Sequence, residues 1–456
     1  MKKKIKWSSG YLMIVGFILL IVLGALLLQT PICNKNGDWL PFVDAMFTST
    51  TSACVTGLMT VTASTQFNIL GKVIILLLIQ IGGWGVIVCA AYLMVLLGKR
   101  ISMSTRVVLQ DLFGLSGVGG IVRFVIYIIK ATLVVEGIGA ILYSFQFIPQ
   151  FGPLRGIGYS IFHSISAYCN AGIDLLGSDS LAQYVNNPYM NFVTMALIVL
   201  GGIGFLIYQD ITAFFKNLFI KRIGLKLSLR KCKLQTKLVI SITSILIFGG
   251  AILIYVCEHN NPATIQNFNF RQQVMFCLFQ SITTRTAGFF TIDQSLLKPV
   301  TQFICCILMF IGGSPLGTAG GVKTVTIGII FLTCMSILRG DYHVTCFRRS
   351  ISLSYIRVAI SVFMASFTLS LTGVILLLVF APNATLNQAM YEVFSATATV
   401  GLSAGLTSQL TTAGKWIVIG LMYMGRIGPV SLPVFFLSKS RIKGDQELPD
   451  EHILVG

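Results

Sequence analysis

The sequence predicts an all-α polytopic membrane protein of four helix–pore-loop–helix repeats around a pseudo-fourfold pore, and three observations predict it. Hydrophobic residues make up 55% of the 456 and charged residues only 11%, with a mean hydropathy of +0.84, whereas soluble domains carry about a quarter charged residues. Four short segments rich in small hydroxylated residues each open on Phe and close on Gly followed by an apolar residue: "FTSTTSACVTGL" (Phe47 to Leu58), "FHSISAYCNAGI" (Phe162 to Ile173), "FQSITTRTAGF" (Phe279 to Phe289) and "FSATATVGL" (Phe394 to Leu402). Their closing glycines, Gly57, Gly172, Gly288 and Gly401, are 115, 116 and 113 residues apart, a fixed period of the kind that repeat architectures leave in a sequence.

Each repeat reads as a spanning helix, a segment too short and polar to cross, and a second spanning helix. In the first repeat these are Tyr11 to Thr30, Pro41 to Thr56 and Phe67 to Leu97. Later repeats begin with helices near Arg123 to Phe147, Leu238 to Cys257 and Val358 to Phe380, giving eight spanning helices in all. The chain divides into repeats at 1–100, 101–220, 221–345 and 346–456. The basic start "MKKKIKWSSG" before Tyr11 imitates a signal peptide, but the following run is long enough to span and no small-residue cleavage site follows it, so a retained helix is expected.

The net charge of +18 lies in loops: at Lys2, Lys3, Lys4 and Lys6; at Lys99, Arg100 and Arg106; at eight positions from Lys216 to Lys237; at Arg339, Arg348 and Arg349; and at Lys439, Arg441 and Lys443. The positive-inside rule places these five clusters in the cytoplasm and the polar segments at the outer face. The expectation is a multi-pass plasma-membrane protein with both termini cytoplasmic. The basic runs read as topology signals and lipid contacts rather than nucleic-acid sites.

A dozen residues cannot cross about 30 Å of hydrocarbon as a helix, so each polar segment enters and leaves on one side. Irregular backbone at that depth survives only where it is buried in protein or lines a path for water and ions. Glycine admits backbone angles closed to other residues, so successive carbonyls of "CVTG" (Cys54, Val55, Thr56, Gly57), "CNAG" (Cys169, Asn170, Ala171, Gly172), "RTAG" (Arg285, Thr286, Ala287, Gly288) and "ATVG" (Ala398, Thr399, Val400, Gly401) can converge on a dehydrated monovalent cation. The competing reading is that these small residues only let helices pack closely.

A second glycine cluster follows each segment: "IQIGGWG" (Ile79 to Gly85), "IVLGGIG" (Ile198 to Gly204), "LMFIGGSPLG" (Leu308 to Gly317) and "LMYMGRIGP" (Leu421 to Pro429). The third extends into "IGGSPLGTAGGVKT" (Ile311 to Thr324), which at first suggests a phosphate-binding loop. Val322 separates Gly321 from Lys323, and no short strand precedes the run, so the amide-and-ammonium cradle of such loops is not expected.

With "ACVTGL", "YCNAGI", "TRTAGF" and "TATVGL" in four such repeats, the chain resembles the Ktr/Trk/HKT superfamily of potassium-translocating subunits over nearly its whole length. It looks closest to the Ktr transmembrane subunit, on "FRRSI" (Phe347 to Ile351) and "LTTAGKWIVIGLMYMGRIGP" (Leu410 to Pro429). The resemblance implies a homodimer with one pore per protomer, sodium-dependent potassium uptake with Na+ as an activator, and a KtrA-like cytoplasmic nucleotide-binding ring as partner. It also implies that the third repeat's second helix is broken by an intramembrane gate loop, carried here by Gly312, Gly313, Ser314, Pro315, Leu316, Gly317, Thr318, Ala319, Gly320, Gly321 and Lys323.

Charges within apolar helices are expensive and so functional candidates. Arg426 could hold the loop through its carbonyls, place positive charge beside the pore, or lock helices in a salt bridge. Lys323 marks the loop's lower end or pairs with a carboxylate. Asp44 and Glu392 could concentrate cations at the pore mouth or pair with Arg285 behind the filter. His163 reads as a packing residue, and Glu136 and Lys130, six apart, share no helical face. Eleven cysteines form no CxxC pair and read as free thiols. No nucleophile motif, close acid–base pair or metal spacing appears, so neither an enzyme nor an organic cofactor is expected. The alternatives that stay open are the ion-binding subunit of an ATP-driven potassium pump and a membrane-embedded scaffold.

Overall fold

The structure, a computed structural model, describes residues 9–428 except 100, 102, 114–116, 118 and 223. The basic clusters at Lys2 to Lys6 and Lys439 to Lys443, Arg100, and the tail from Pro429 onward lie outside the described residues.

Four repeats follow in order. Their outer helices are Ser9–Gln29, Ile121–Phe151, Leu234–Glu258 and Leu353–Phe380, and the last three are long and apolar enough to cross a membrane unaided. The pore helices are Phe42–Cys54, Pro153–Cys169, Phe270–Thr283 and Leu386–Thr397. At 12 to 17 residues they measure about 18–26 Å, short of the hydrocarbon thickness. Local chemistry starts them: Asn269 with Gln272, and Thr385 with Gln388, form reciprocal capping boxes that satisfy amides left free at a helix start.

The inner helices differ from expectation. Instead of one span from Phe67 to Leu97, repeat one has Ile69–Trp84 and Val86–Leu96, bent by 99°. Repeat two has Pro188–Ile203 followed by Phe205–Phe215, and the bend there is 102°. The cause is a single glycine in each: Gly85 has φ 88 and ψ 136, and Gly204 has φ 98 and ψ 141, angles that side chains oppose. Gly428, which ends the inner helix Thr412–Ile427 of repeat four, has φ 96 and ψ 132. In repeat three the helix stops at Phe310, and Thr324–Arg339 resumes after an irregular loop.

The same contact assembles each repeat. A methyl group placed on Gly24, Gly139 or Gly250 of an outer helix would strike the hydroxyl of Ser49, Ser164 or Ser281 on its pore helix and the side chain of Leu78, Leu197 or Leu308 on its inner helix. These serines donate to outer-helix carbonyls: Ser49 to Ile21 at 2.6 Å, Ser164 to Glu136 at 2.6 Å and Ser281 to Ile247 at 2.8 Å. In repeat four, Gly373 meets Val393 and Leu421. Small residues thus bring backbones together where lipid offers no hydrophobic drive. Across the ring, the Lys415 ammonium donates to Asp44 at 2.6 Å, tying repeat four to repeat one.

Candidate functional site

The four glycine segments meet at one axis. Val55, Asn170, Thr286 and Thr399, at matched positions, all lie in the left-handed region, with φ 57, 60, 67 and 53. Three of them are β-branched, for which that region is strained by about 1–3 kcal/mol each. Two residues on, Gly57, Gly172, Gly288 and Gly401 have φ 102, 65, 81 and 99. The residue between lies outside the left-handed region, so the backbone alternates in hand through each segment.

The glycines then close a ring. A methyl group on Gly57 would stand 2.5 Å from the Ala171 carbonyl oxygen, one on Gly172 2.5 Å from that of Ala287, and one on Gly288 2.6 Å from that of Val400. One on Gly401 would strike the Thr56 carbonyl and lie 2.9 Å from the Gly57 Cα. Each repeat leans on the next, and the fourth returns to the first. The hydroxyl oxygens of Thr56, Thr286 and Thr399 are buried here and bond to no protein group. Each pore helix runs its C-terminal end into this ring, so the negative ends of four helix dipoles converge on it. The partial negative charge gathered at this ring suits a cation rather than an anion.

Pore-helix side chains brace the segments: the Gly57 amide donates to Thr51 Oγ1 at 2.9 Å and the Gly401 amide to Ser395 Oγ at 3.0 Å. The Cys169 thiol reaches Glu136 at 3.7 Å, and Gln80 Nε2 donates to the same carboxylate at 3.1 Å. The Asn170 side-chain amide lies against the carbonyls of Ala167, Tyr168 and Ile198, which assigns its nitrogen to that side.

Arg285 leaves the axis. Its guanidinium donates to the Thr243 carbonyl at 3.2 Å and lies 3.4 Å from the Thr243 hydroxyl on the outer helix of its own repeat. Neither carboxylate meets it: Asp44 holds Lys415, and Glu392 accepts from Ser403 Oγ at 2.7 Å and from Thr407 Oγ1. Both carboxylates are therefore spent on their own neighbourhoods. His163 packs among Tyr143, Phe147 and Phe162.

Residues 311–324 pack against the ring from repeats two and four. The bend at Gly204 frees helix-end groups, and the loop takes them: Ser314 N–H donates to the Gly202 carbonyl at 2.9 Å, Thr318 N–H to Gly201 at 3.2 Å, and Phe205 N–H to Leu316 at 3.0 Å. Thr318 Oγ1 donates to the Tyr168 carbonyl at 3.1 Å, just before candidate filter two. On the other side, a methyl on Gly320 would strike Thr399 Oγ1 and lie 2.6 Å from the Ala398 carbonyl. Within the loop, Val322 N–H donates to Phe310 at 3.1 Å and Thr324 N–H to Gly313 at 3.0 Å. Lys323 meets no carboxylate among the described residues; its ammonium donates to the Ala319 carbonyl at 2.6 Å. Arg426 is no salt bridge among the described residues: its two terminal nitrogens donate to the Thr318 and Gly82 carbonyls, each at 2.5 Å. A cavity of about 320 Å³ adjoins the loop, bounded by Gly320, Lys323 and Arg426 and by Phe17, Phe205 and Phe310.

The break glycines were visible as the last residues of "IGGWG", "LGGIG" and "GRIG", 28, 32 and 27 positions after the closing glycines. Their matched spacing was the signal; what they do to the helix was not read from it.

Four helix–pore-loop–helix repeats around one pseudo-fourfold axis define a polytopic pore-loop membrane protein. A model of the TrkH cation transport protein family matches residues 3–442, and the chain belongs to that family: it is a cation transporter, not an enzyme. It is 36% identical over its whole length to the potassium/sodium uptake protein NtpJ of Enterococcus hirae, covering 99% of that protein. It is 35% identical to the Ktr system potassium uptake protein B of Bacillus subtilis, covering 100% of this chain and 99% of that one. The crystal structure of the potassium transporter TrkH from Vibrio parahaemolyticus shares the fold, with a TM-score of 0.71 at 17% identity, over 95% of this chain and 86% of that one.

Proposed function

We propose that this chain is the potassium-translocating subunit of a gated uptake system, with Cys54–Gly57, Cys169–Gly172, Arg285–Gly288 and Ala398–Gly401 as its selectivity filter and residues 311–324 as an intramembrane gate. One observation carries the reading: the cyclic closure of Gly57 on Ala171, Gly172 on Ala287, Gly288 on Val400 and Gly401 on Thr56. Such a ring leaves carbonyls, not side chains, to replace an ion's hydration shell. The relatives' names point to potassium and sodium as cargo. Four repeats, 1–100, 101–220, 221–345 and 346–456, supply one filter segment each.

The gate reading rests on two supports. The loop packs between inner helix two and the fourth glycine segment, and Arg426 of inner helix four holds it by the Thr318 carbonyl rather than by a counterion. The described basic residues Lys99, Arg106, Lys216 to Lys237 and Arg339 follow the inner helices of the first three repeats, which favours a cytoplasmic side there and cytoplasmic termini. In this reading the chain works as a homodimer, a nucleotide-binding ring docks on those loops to open the gate, and Na+ promotes uptake.

The test is flux from potassium-loaded liposomes containing the purified chain, measured against imposed voltage for K+ and Na+. Voltage-driven flux favouring K+ is expected, and more of it from a variant shortened between Ser314 and Thr318. Flux that requires ATP would instead indicate a pump subunit and overturn the reading.

A further inference from the structure

The pore helices carry, at one matched position, four unlike side chains. Thr48, His163, Gln280 and Glu392 precede the closing glycines by nine, nine, eight and nine residues, and all are buried. In three repeats this side chain reaches forward to the segment that leaves the filter. His163 Nε2 accepts from the Leu175 amide at 3.4 Å while its Nδ1 faces the Tyr159 carbonyl at 2.8 Å, partners that assign the proton to Nδ1. Gln280 Nε2 donates to Gln294 Oε1 at 2.5 Å, and that oxygen also accepts from the Tyr391 hydroxyl at 2.8 Å. Glu392 uses both carboxylate oxygens, one accepting from Ser403 Oγ at 2.7 Å and the other from Thr407 Oγ1. In repeat one the Thr48 hydroxyl has no partner.

We propose that Glu392 is a positioning residue of the candidate filter: it holds the exit loop Ser403–Thr407 and thereby sets the aim of the Ala398–Gly401 carbonyls on which discrimination between K+ and Na+ depends. The proposal rests on the filter reading above. A short loop of carbonyls discriminates by the number and field of its oxygens, and these follow the segment that anchors the loop's outer end. Ser403 lies two residues after Gly401, so a shift there is passed to the glycine through a single intervening residue. Glu392 is the one carboxylate among the four matched residues, and each of its two oxygens accepts from a hydroxyl of the segment that leaves the filter. Repeat one has no such strut among the described residues, so the pseudo-fourfold ring is braced unequally.

The test compares wild type, Glu392→Ala, Glu392→Gln and the pair Ser403→Ala with Thr407→Val, reading the K+/Na+ flux ratio in proteoliposomes together with monodispersity in detergent. Glutamine can accept from one hydroxyl and donate to the other. A several-fold fall in the ratio for Glu392→Ala, largely recovered in Glu392→Gln and reproduced by the hydroxyl pair, is the expected result. Combining Glu392→Ala with the hydroxyl pair should add nothing further, because both remove the same contact. An unchanged ratio in a monodisperse Glu392→Ala, or in the hydroxyl pair should that variant fail to fold, overturns the strut while leaving the filter reading intact. A wild-type chain that carries both ions equally overturns the filter reading and the strut with it.

Discussion

The Arg426 guanidinium donates to the carbonyl of Thr318 at 2.5 Å, and its other terminal nitrogen holds Gly82 at the same distance. One side chain of repeat four thus pins the loop of repeat three to the inner helix of repeat one. Gly82 is free to accept because Gly85 breaks the helix, so the amide four residues on, Val86, starts a new segment.

Arg426→Gln should raise resting K+ flux. Hydrogen bonds from a charged donor contribute about 1.5–3 kcal/mol each, so losing even one shifts a closed–open equilibrium by about tenfold or more. Arg426→Lys should behave like Gln, because a point ammonium does not reproduce a planar fork that spans two carbonyls. The check is voltage-driven flux from proteoliposomes, and a resting rate equal to wild type in both variants would remove Arg426 from the gate.

Gly204→Ala and Gly85→Ala separate strain from contact. Both glycines have positive φ, 98 and 88, so both alanines cost about 1–3 kcal/mol of backbone strain and should lower thermal stability alike. Only at Gly204 does the new methyl meet the loop, 2.5 Å from the Pro315 carbonyl; at Gly85 it meets open space. Gly204→Ala should therefore raise flux and Gly85→Ala should not. Equal flux from both would mean that the loop is not seated on the repeat-two bend.

Shortening the loop between Ser314 and Thr318 removes the Ser314–Gly202, Thr318–Gly201 and Leu316–Phe205 hydrogen bonds together. Flux should exceed that of Arg426→Gln, and adding Arg426→Gln to the shortened loop should change little, since Arg426 then has no Thr318 carbonyl to hold. An additive increase would assign the two to separate barriers.

The four repeats were legible because a backbone that only glycine tolerates at Gly57, Gly172, Gly288 and Gly401 repeats in the sequence whenever it repeats in space. The loop at 311–324 was expected through the family resemblance, and Pro315 and its glycines supply the physical reason that a helix breaks there. The bends at Gly85 and Gly204 were not, because a glycine inside an apolar run serves close helix packing equally well. The sequence leaves open whether Asp44 and Glu392 concentrate cations or pair with Arg285, and the pairing does not form among the described residues, since pairing charges by sign ignores direction. The Arg285 segment turns the side chain outward, where the Thr243 carbonyl is nearer than any carboxylate. Of the readings open for Arg426, holding the loop by a carbonyl is the one its geometry fits, whereas the Lys323 contact with the Ala319 carbonyl leaves no mark in a sequence because every residue has a carbonyl.

Gly57→Ser is the sharpest test of the ring. The serine Cβ would lie 2.5 Å from the Ala171 carbonyl oxygen, 3.2 Å from the Gly401 Cα and 3.3 Å from the Gly172 Cα, at a φ of 102 that side chains resist. Segment one must relax outward, since it is the repeat in which Thr48 reaches no partner, and one of the four carbonyls then withdraws from the ion. Discrimination by field and number of oxygens weakens when one of four retreats, so Na+ flux should rise relative to K+ while total flux persists. The same substitution at Gly401 should do more damage, because its Cβ would strike the Thr56 carbonyl and because Glu392, Ser403 and Thr407 hold that segment against relaxing. Paired K+ and Na+ reversal potentials on the two variants decide it. A K+/Na+ ratio unchanged in Gly57→Ser would take the glycine ring out of ion selection.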